Sequence, residues 1–130
     1  MCFRRLLLLS FFALLLSACG TSLPELPGFD TALWRRDTYG CQDQRKSQLK
    51  SLLLAKEQLY GLRTATVEQL LGRPDEEELA EQTEKIYNYY LESGSHCLPP
   101  HQRSGANKLS LRFGPLGTVT EVLTTRPQNL

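Results

Sequence analysis

The sequence has little excess charge of either sign, and it lacks an apolar run long enough to cross a bilayer. Its 15 basic and 14 acidic residues nearly cancel, whereas a nucleic-acid-binding domain usually has a strong basic excess. The longest apolar run, residues 6–16, is interrupted by Ser10, and a spanning helix needs roughly 20 residues. A glycine-rich phosphate loop and an internal repeat are also missing. These absences argue against a nucleic-acid binder, a P-loop protein and a repeat protein.

The amino-terminal residues predict export and lipid attachment. Arg4 and Arg5 precede the apolar run, and Leu16-Ser17-Ala18-Cys19 follows it, which is the pattern of a bacterial lipobox. A signal peptidase would cut before Cys19, whose sulfur would carry the lipid. Two or more acyl chains, each contributing about 0.8 kcal/mol per buried CH₂, anchor a protein stably without a spanning helix. A plain signal peptide and an uncleaved anchor are the alternatives.

This interpretation divides the chain into four segments. Residues 1–18 are the signal peptide, of which residues 4–17 are expected to form an isolated helix in the precursor. Residues 19–29 form a semi-extended tether, and residues 21–29 of it contain two prolines and a glycine. Residues 30–126 are the folded domain, and residues 127–130 are a frayed tail. Removing Arg4 and Arg5 leaves 13 basic against 14 acidic residues, so the mature side chains sum to about −1.

The four cysteines reduce to one predicted disulfide. Cys2 leaves with the signal peptide and Cys19 is consumed by the lipid, so Cys41 and Cys97 remain as a pair. An exported protein meets an oxidising compartment, where such a pair forms a bridge. A disulfide between them closes a loop of 56 residue steps. By lowering the conformational entropy of the unfolded chain, it would stabilise the fold by roughly 4 kcal/mol.

Two histidines beside Cys97 leave other chemistry open. His96 and His101 could form a metal site with Cys41 and Cys97, although the spacing matches no common zinc motif. A catalytic thiol is a second alternative, and a small enzyme using His96, His101 or the glutamates at 76–78 and 81 is a third. No nucleophile, base and orienting group can be assembled from the spacing. We therefore expect a non-enzymatic chain without a metal or cofactor.

The first half of the domain has helical periodicity. Asp30 is a good N-cap for a short helical turn ending at Arg36, in which Trp34 is expected to cover an edge of the core or, alternatively, to serve as a functional aromatic anchor. A longer helix is predicted from Asp43, its N-cap, to the stop at Gly61, because apolar residues recur on one stripe. The stripe consists of Leu49, Leu52, Leu53, Leu59 and Tyr60.

A second, shorter helix is predicted from Thr64 to Leu71, ended by Gly72. Either Thr66, paired with Gln69 in a capping box, or Thr64 is its N-cap. The following Arg73-Pro74-Asp75 prevents helix continuation. The glutamates at 76–78 and 81 are interpreted as a solvated face that precedes the first strand.

The second half of the domain alternates with a period of two, which indicates strands. Residues 86–91 and 108–113 read as strands, and a turn at 114–117 leads to a third antiparallel strand at 118–125. Between the first two strands lies a long loop, residues 92–107, tied by Cys97. The predicted fold is therefore α+β in two layers, with two helices on one face of a three-stranded antiparallel meander (ααβββ). The residues expected to face the helices are Tyr87, Tyr89, Leu91, Leu109, Leu111 and Phe113.

One stretch resembles a known family. Gly61-Leu62-Arg63-Thr64-Ala65-Thr66-Val67-Glu68-Gln69-Leu70-Leu71-Gly72-Arg73-Pro74-Asp75 is similar to the signature of the SmpA/OmlA (BamE-like) lipoproteins, which ends in Leu-Leu-Gly-x-Pro-Asp. Residues 109–113 and 117–119 resemble the final hairpin of that family. The resemblance implies the ααβββ fold and a non-enzymatic role in the cell envelope. Family members are accessory subunits of the machinery that inserts outer-membrane β-barrels, and related domains bind and inhibit β-lactamases.

Together these features predict an interaction module on a lipid anchor. The expected partners are the bilayer, through acylated Cys19, and another envelope protein, but no nucleic acid. A homodimer by edge-strand exchange is also expected, because a three-stranded sheet leaves two open edges. The alternatives are a structural or stress lipoprotein without a stable partner and an inhibitor of a secreted hydrolase. Since Gly20 lacks acidic character, the outer membrane, facing the periplasm, is predicted in preference to the inner membrane.

Overall fold

A computed structural model describes Gly20 and residues 22–126. The predictions for the signal peptide, for a helix over residues 4–17, for Cys19 and for the tail at 127–130 lie outside these residues. The described part contains three α-helices and four β-strands, which confirms the α+β class. The helices are α1 (Thr31–Arg36), α2 (Gln44–Leu54) and α3 (Thr64–Leu71), and the strands are β1 (Glu76–Leu79), β2 (Lys85–Tyr90), β3 (Lys108–Phe113) and β4 (Val119–Thr124).

The first two helices follow the predicted pattern only in part. Asp30 caps α1, since its Oδ1 accepts the Leu33 N–H at 3.0 Å. Asp43 precedes α2 but does not cap it; its φ is +55°, and its side chain accepts the Ser93 N–H instead. The predicted stop at Gly61 is wrong, because the backbone leaves the helical region at Ala55. After this break Leu59 is buried, whereas Tyr60 is 37 % exposed and falls off the stripe.

The predicted bounds of α3 are confirmed, but the capping box is wrong. Gly72 ends the helix at φ +82°, and its N–H donates to Glu68. Thr66 lies inside the helix, and the cap position belongs to Arg63, which makes no side-chain capping bond. The chain entering α3 instead contacts the start of β4, where the Val119 N–H donates to the Leu62 carbonyl at 2.9 Å. A tertiary contact thus replaces the local cap.

The sheet has the order β1-β2-β3-β4, with every neighbour antiparallel. The prediction of three strands is wrong, because residues 76–79 form β1 rather than a solvated face ahead of the sheet. Three consecutive glutamates carry no period-two signal. Pairing with β2 places Glu76 opposite Asn88 and Glu78 opposite Ile86. Side chains on the outer sheet face then neutralise these carboxylates, as described below.

The core lies between the helices and the inner face of the sheet. It contains the six strand residues predicted to face the helices, all at most 3 % exposed, and this prediction is confirmed. Trp34 is fully buried, with its ring centroid 5.5 Å from Phe29 and 6.2 Å from Tyr89. The prediction that it covers an edge of the core is wrong, and complete burial also contradicts its use as a surface anchor.

The segment before α1 packs on the helical layer. Leu26 is 9 % exposed and belongs to the core, and Phe29 packs against it. Leu23 borders a shallow groove together with Arg35 and Arg73. Within residues 22–126, no helix combines the length and apolarity that crossing a bilayer requires.

Candidate functional site

The outer face of the sheet, opposite the helices, carries a groove of about 390 Å³. Alternation along the strands places Asn88 of β2 and Ser110 of β3 on this face, and the two residues are paired across the strands. Residues 104–106 form one end of the groove. Leu123 and Thr125 form its β4 side. We call this feature the sheet groove.

A buried tyrosine organises the end of the sheet groove near the long loop. The Tyr90 hydroxyl donates to Glu76 Oε1 and accepts the Ser104 N–H at 3.0 Å. Lys108 Nζ lies 3.0 Å from Glu76 Oε2 and 5.0 Å from the centre of the Tyr90 ring. One carboxylate therefore joins β1, β2 and β3 through three side chains.

Glu76 is held in its ionised form. Partial burial raises its pKa, but the hydrogen bonds from Tyr90 and Lys108 and the positive charges of Lys108 and Arg103 lower it further, so the net pKa is below the ordinary value of 4.5. Ionisation shares the negative charge between the two oxygens, so that Oε1 accepts from Tyr90 and Oε2 accepts from Lys108. Ionised Glu76 is thus part of the folded structure at neutral pH.

A second polar ladder crosses the floor of the sheet groove. Ser110 Oγ donates to Asn88 Oδ1 at 2.5 Å, and Asn88 Nδ2 donates to Glu78 Oε1 at 2.9 Å. Arg103 of the long loop reaches the same Glu78 oxygen at 3.3 Å. The ladder satisfies a nearly buried amide on both sides.

Ion pairs balance the far end of the sheet groove. Arg112 lies 3.3 Å from Glu84 and 3.1 Å from Glu121. Together with the Lys108 and Arg103 pairs, these contacts leave a groove without a large potential of one sign. Ile86 and the 51 % exposed Leu123 supply apolar surface between the charges. Such a mixed surface suits a protein segment better than a highly charged ligand.

The long loop is tied to the helical layer by the predicted disulfide, which is confirmed. Cys41 Sγ and Cys97 Sγ are bonded at 2.03 Å. Cys41 follows the turn at Thr38–Gly40, and Cys97 ends the turn at Ser95–Cys97. The bridge fixes the middle of residues 92–107 against the chain between α1 and α2. The loop is therefore a rigid end to the sheet groove.

His96 is a fully buried structural residue. Its ring stacks on Tyr90 with centroids 3.6 Å apart. Nε2 lies 2.8 Å from the Tyr39 carbonyl, which can only accept, so Nε2 carries a proton. Nδ1 lies 2.7 Å from Ser104 Oγ, which can donate to it. Both ring nitrogens thereby have a hydrogen-bond partner.

The structure places His101 at the surface of the same loop. Its ring stacks on Tyr39 with centroids 4.5 Å apart, and Nδ1 lies 2.8 Å from the His96 carbonyl. The His101 ring thus contacts the backbone carbonyl of His96 and not the His96 ring. The glutamates at 76–78 make contacts with strand residues and with Arg103 of the long loop, not with either histidine.

The metal alternative and the disulfide use the same sulfur atoms. Ligand atoms of Cys41, His96 and Cys97 all lie within 4.8 Å of one another. Each sulfur is bonded to the other, and a metal ligand must be a thiolate. The thiols also cannot act as nucleophiles in this form. The disulfide therefore takes the place of both the metal site and the catalytic thiol weighed from the sequence.

Sequence reasoning missed a buried ion pair behind the sheet groove. Arg45 Nη1 lies 2.5 Å from Asp75 Oδ2, and the two side chains are 3 % and 2 % exposed. Asp75 also accepts the backbone N–H groups of Tyr39 and Tyr90. Arg45 donates further to the carbonyls of Trp34 and Tyr90. The pair joins α2, the turn after α1 and β2.

Two tyrosines join α3 to the inner sheet face. Tyr87 donates to Glu68 at 2.7 Å, and Tyr89 donates to the Gly72 carbonyl at 2.9 Å. Burial raises the pKa of both phenols, and the hydrogen bond to Glu68 raises that of Tyr87 further. Both therefore remain neutral donors. They fix the helical layer relative to the sheet whose other face carries the groove.

Comparison of the chain with family models, with curated proteins and with solved structures finds no match in any of the three.

Proposed function

We propose that the protein is a lipid-anchored envelope lipoprotein that acts as a non-enzymatic interaction module, accessory to outer-membrane assembly. The lipobox at residues 16–19 supports the anchor, and the resemblance at residues 61–75 to the SmpA/OmlA lipoproteins supports the envelope role. The partner is another envelope protein. The outer membrane, facing the periplasm, is the proposed location.

The observation that carries the interaction role is the sheet groove. Its charged side chains are already paired within the domain, Glu78 with Arg103, Lys108 with Glu76 and Arg112 with Glu121. Exposed apolar surface remains at Leu123, and Leu98 of the long loop is 70 % exposed. Rigid, pre-ordered surfaces of this kind bind with a smaller loss of conformational entropy. A partner segment lying in the groove would contact β2, β3 and the disulfide-tied loop at once.

In-cell photo-crosslinking tests this role. A photoreactive residue is introduced at Gly105 or Thr125, both at the rim of the sheet groove. Gly105 tolerates a side chain, because an added Cβ meets no atom within 4 Å. Matched control positions are Lys50 on α2 and Leu116 in the final turn, both exposed. We expect one defined envelope protein to be captured from Gly105 and not from the controls. Capture from Thr125 supports the role only where the captured protein differs from a second copy of this chain.

Capture at background level from both rim positions would contradict the interaction role. The anchor is tested separately by the intact mass of the membrane-extracted protein. Cleavage before Cys19 with added acyl mass is expected, and Cys19→Ser should release the domain from the membrane fraction. A native protein that retains residues 1–18 and carries no acyl mass would contradict the anchor.

A further inference from the structure

The two edges of the sheet differ in what they offer to another strand. The β1 edge is four residues long, and three of these are glutamates. Charged, short edges resist pairing with other chains. The β4 edge is six residues long, and its single charged residue, Glu121, is paired with Arg112. β4 is therefore the edge that can accept a strand.

The hydrogen-bonding positions of the β4 edge follow from its pairing with β3. The Thr125 N–H donates to the Lys108 carbonyl, so Leu123 and Glu121 also direct their backbone groups toward β3. The N–H and C=O groups of Val122 and Thr124 then point away from the sheet. At the start of the strand, the N–H and carbonyl of Val119 bond to Leu62 and Gly61. The open portion of the edge thus begins after Val119.

We propose that the β4 edge binds the β4 edge of a second copy of this chain, antiparallel, with Leu123 opposite Leu123 of the copy. In this register Val122 forms a hydrogen-bonded pair with Thr124 of the copy. By the two-fold symmetry, Thr124 forms the same pair with Val122 of the copy. Glu121 lies opposite Thr125 of the copy rather than opposite another carboxylate. The start of β4, where Val119 bonds to Gly61 and Leu62, remains outside the paired region.

The register also covers exposed apolar surface. Leu123 directs its backbone toward β3, so it forms a non-hydrogen-bonded pair with its copy, the arrangement in which side chains approach most closely. The half-exposed Leu123 side chains meet on the outer face. The sheet grooves of the two copies become neighbours in one eight-stranded sheet.

The symmetry agrees with anchoring in one membrane. Antiparallel pairing of identical edges has its two-fold axis perpendicular to the sheet, so both helical layers lie on the same side. The segment leading back toward Cys19 packs on that layer through Leu26. This step rests on the proposed lipid anchor, which also raises the effective concentration of the copies by confining them to one surface.

Cysteine crosslinking of the full chain in its own membranes tests the contact. Leu123→Cys is compared with two exposed controls, Leu79→Cys on the β1 edge and Leu116→Cys in the final turn, which are 77 % and 86 % exposed. Under mild oxidation, Leu123→Cys should form a covalent dimer about tenfold faster than either control, because facing positions in such a pair lie within the Cα–Cα range of a disulfide. Adding Thr124→Pro should reduce the rate to that of the controls. Proline at this position removes an outward N–H without deleting a side chain of the apolar core, to which Val122 belongs, and the pairing with β3 is retained.

Dimer formation by Leu123→Cys at the rate of the controls would overturn the proposal, as would a crosslinked band with the mass of a different protein. The acyl mass on Cys19 is measured in the same preparation. Acylated protein without the Leu123 crosslink contradicts the dimer alone, whereas protein without acyl mass contradicts the proposed anchor. An unfolding midpoint unchanged by Thr124→Pro verifies that a lost crosslink is not due to misfolding.

Discussion

The two ends of the sheet are built in opposite ways. At the β1–β2 end, Asp75, Tyr90 and Glu76 each bond to several neighbours, and the disulfide ties the adjacent loop to the helical layer. At the β4 end, Val122 and Thr124 direct backbone groups outward and Leu123 is half exposed. One end therefore has its contacts within the domain, whereas the other has backbone groups that no neighbouring strand of the domain pairs. Substitutions at the two ends should separate stability from association.

The largest loss of stability is expected from Asp75→Ala. This change leaves Arg45 charged and buried, and it removes the acceptor of the Tyr39 and Tyr90 N–H groups. The free energy of unfolding should fall by about 3–5 kcal/mol. Urea unfolding of the full chain measures the loss. Asp75→Asn keeps a hydrogen-bond acceptor and should lower the free energy of unfolding less. Glu57→Gln on the surface should change this free energy little. A loss for Asp75→Ala no larger than that for Glu57→Gln would contradict a structural role for the Arg45–Asp75 pair.

The next largest effect is expected from removing the disulfide. The double substitution Cys41→Ser, Cys97→Ser should lower the free energy of unfolding by about 2–4 kcal/mol, because the unfolded chain gains conformational entropy. Hydrogen exchange should quicken in residues 92–107 and remain unchanged in β4. Equal protection of the loop with and without the bridge would show that its non-covalent contacts, such as the stacking of His96 on Tyr90, are sufficient to hold it.

A smaller, pH-dependent effect is expected from Glu76→Gln. The folded-state pKa of Glu76 is lowered, so its contribution to stability is present above the ordinary value of 4.5 and is lost as the pH falls through the folded-state value. At pH 7 the substitution should cost about 1 kcal/mol. Unfolding curves of the two proteins at several pH values should therefore converge in acid. A difference that grows as the pH falls would refute ionised Glu76 as the favoured form.

The smallest effect on stability is expected from Leu123→Lys at the open edge. Substitutions of exposed residues usually change the free energy of unfolding by less than about 0.5 kcal/mol. The same substitution places two lysines opposite each other in the proposed dimer, and like charges in facing positions are unfavourable. Thermal unfolding and the mass of the membrane-extracted protein by native mass spectrometry measure the two effects. If Leu123→Lys lowered the stability of the fold and left association unchanged, β4 would serve stability and not association.

The sequence predicts the parts of this fold that depend on periodicity. Leu109, Leu111 and Phe113 alternate with polar residues, and their burial follows directly. The Cys41–Cys97 bridge follows from counting cysteines in a chain whose amino-terminal residues predict export. Gly72 ends α3 because a left-handed residue is needed there. The alternation and the glycine stop are local signals, and the distant bridge is predictable because only two cysteines are left to pair.

Features that depend on distant partners could not be predicted in this way. Residues 76–78 look solvated until Lys108, Asn88 and Arg103 are brought beside them. Asp75 reads as a turn residue after proline, and nothing in its neighbourhood identifies Arg45 as its partner. The break of α2 at Ala55 also carries no breaker residue. In each case tertiary contacts override the local preference.

The burial of Leu26 limits how far the folded domain can stand from a lipid at Cys19. Six residues, 20–25, separate the two positions, and a fully extended chain of that length spans at most about 25 Å. A lipid at Cys19 would therefore keep the domain inside the layer of solvent next to the bilayer. With a lipid at Cys19, the domain could contact only proteins whose binding surfaces lie close to the bilayer. The limit would be the span of residues 20–25 plus the depth of one small domain.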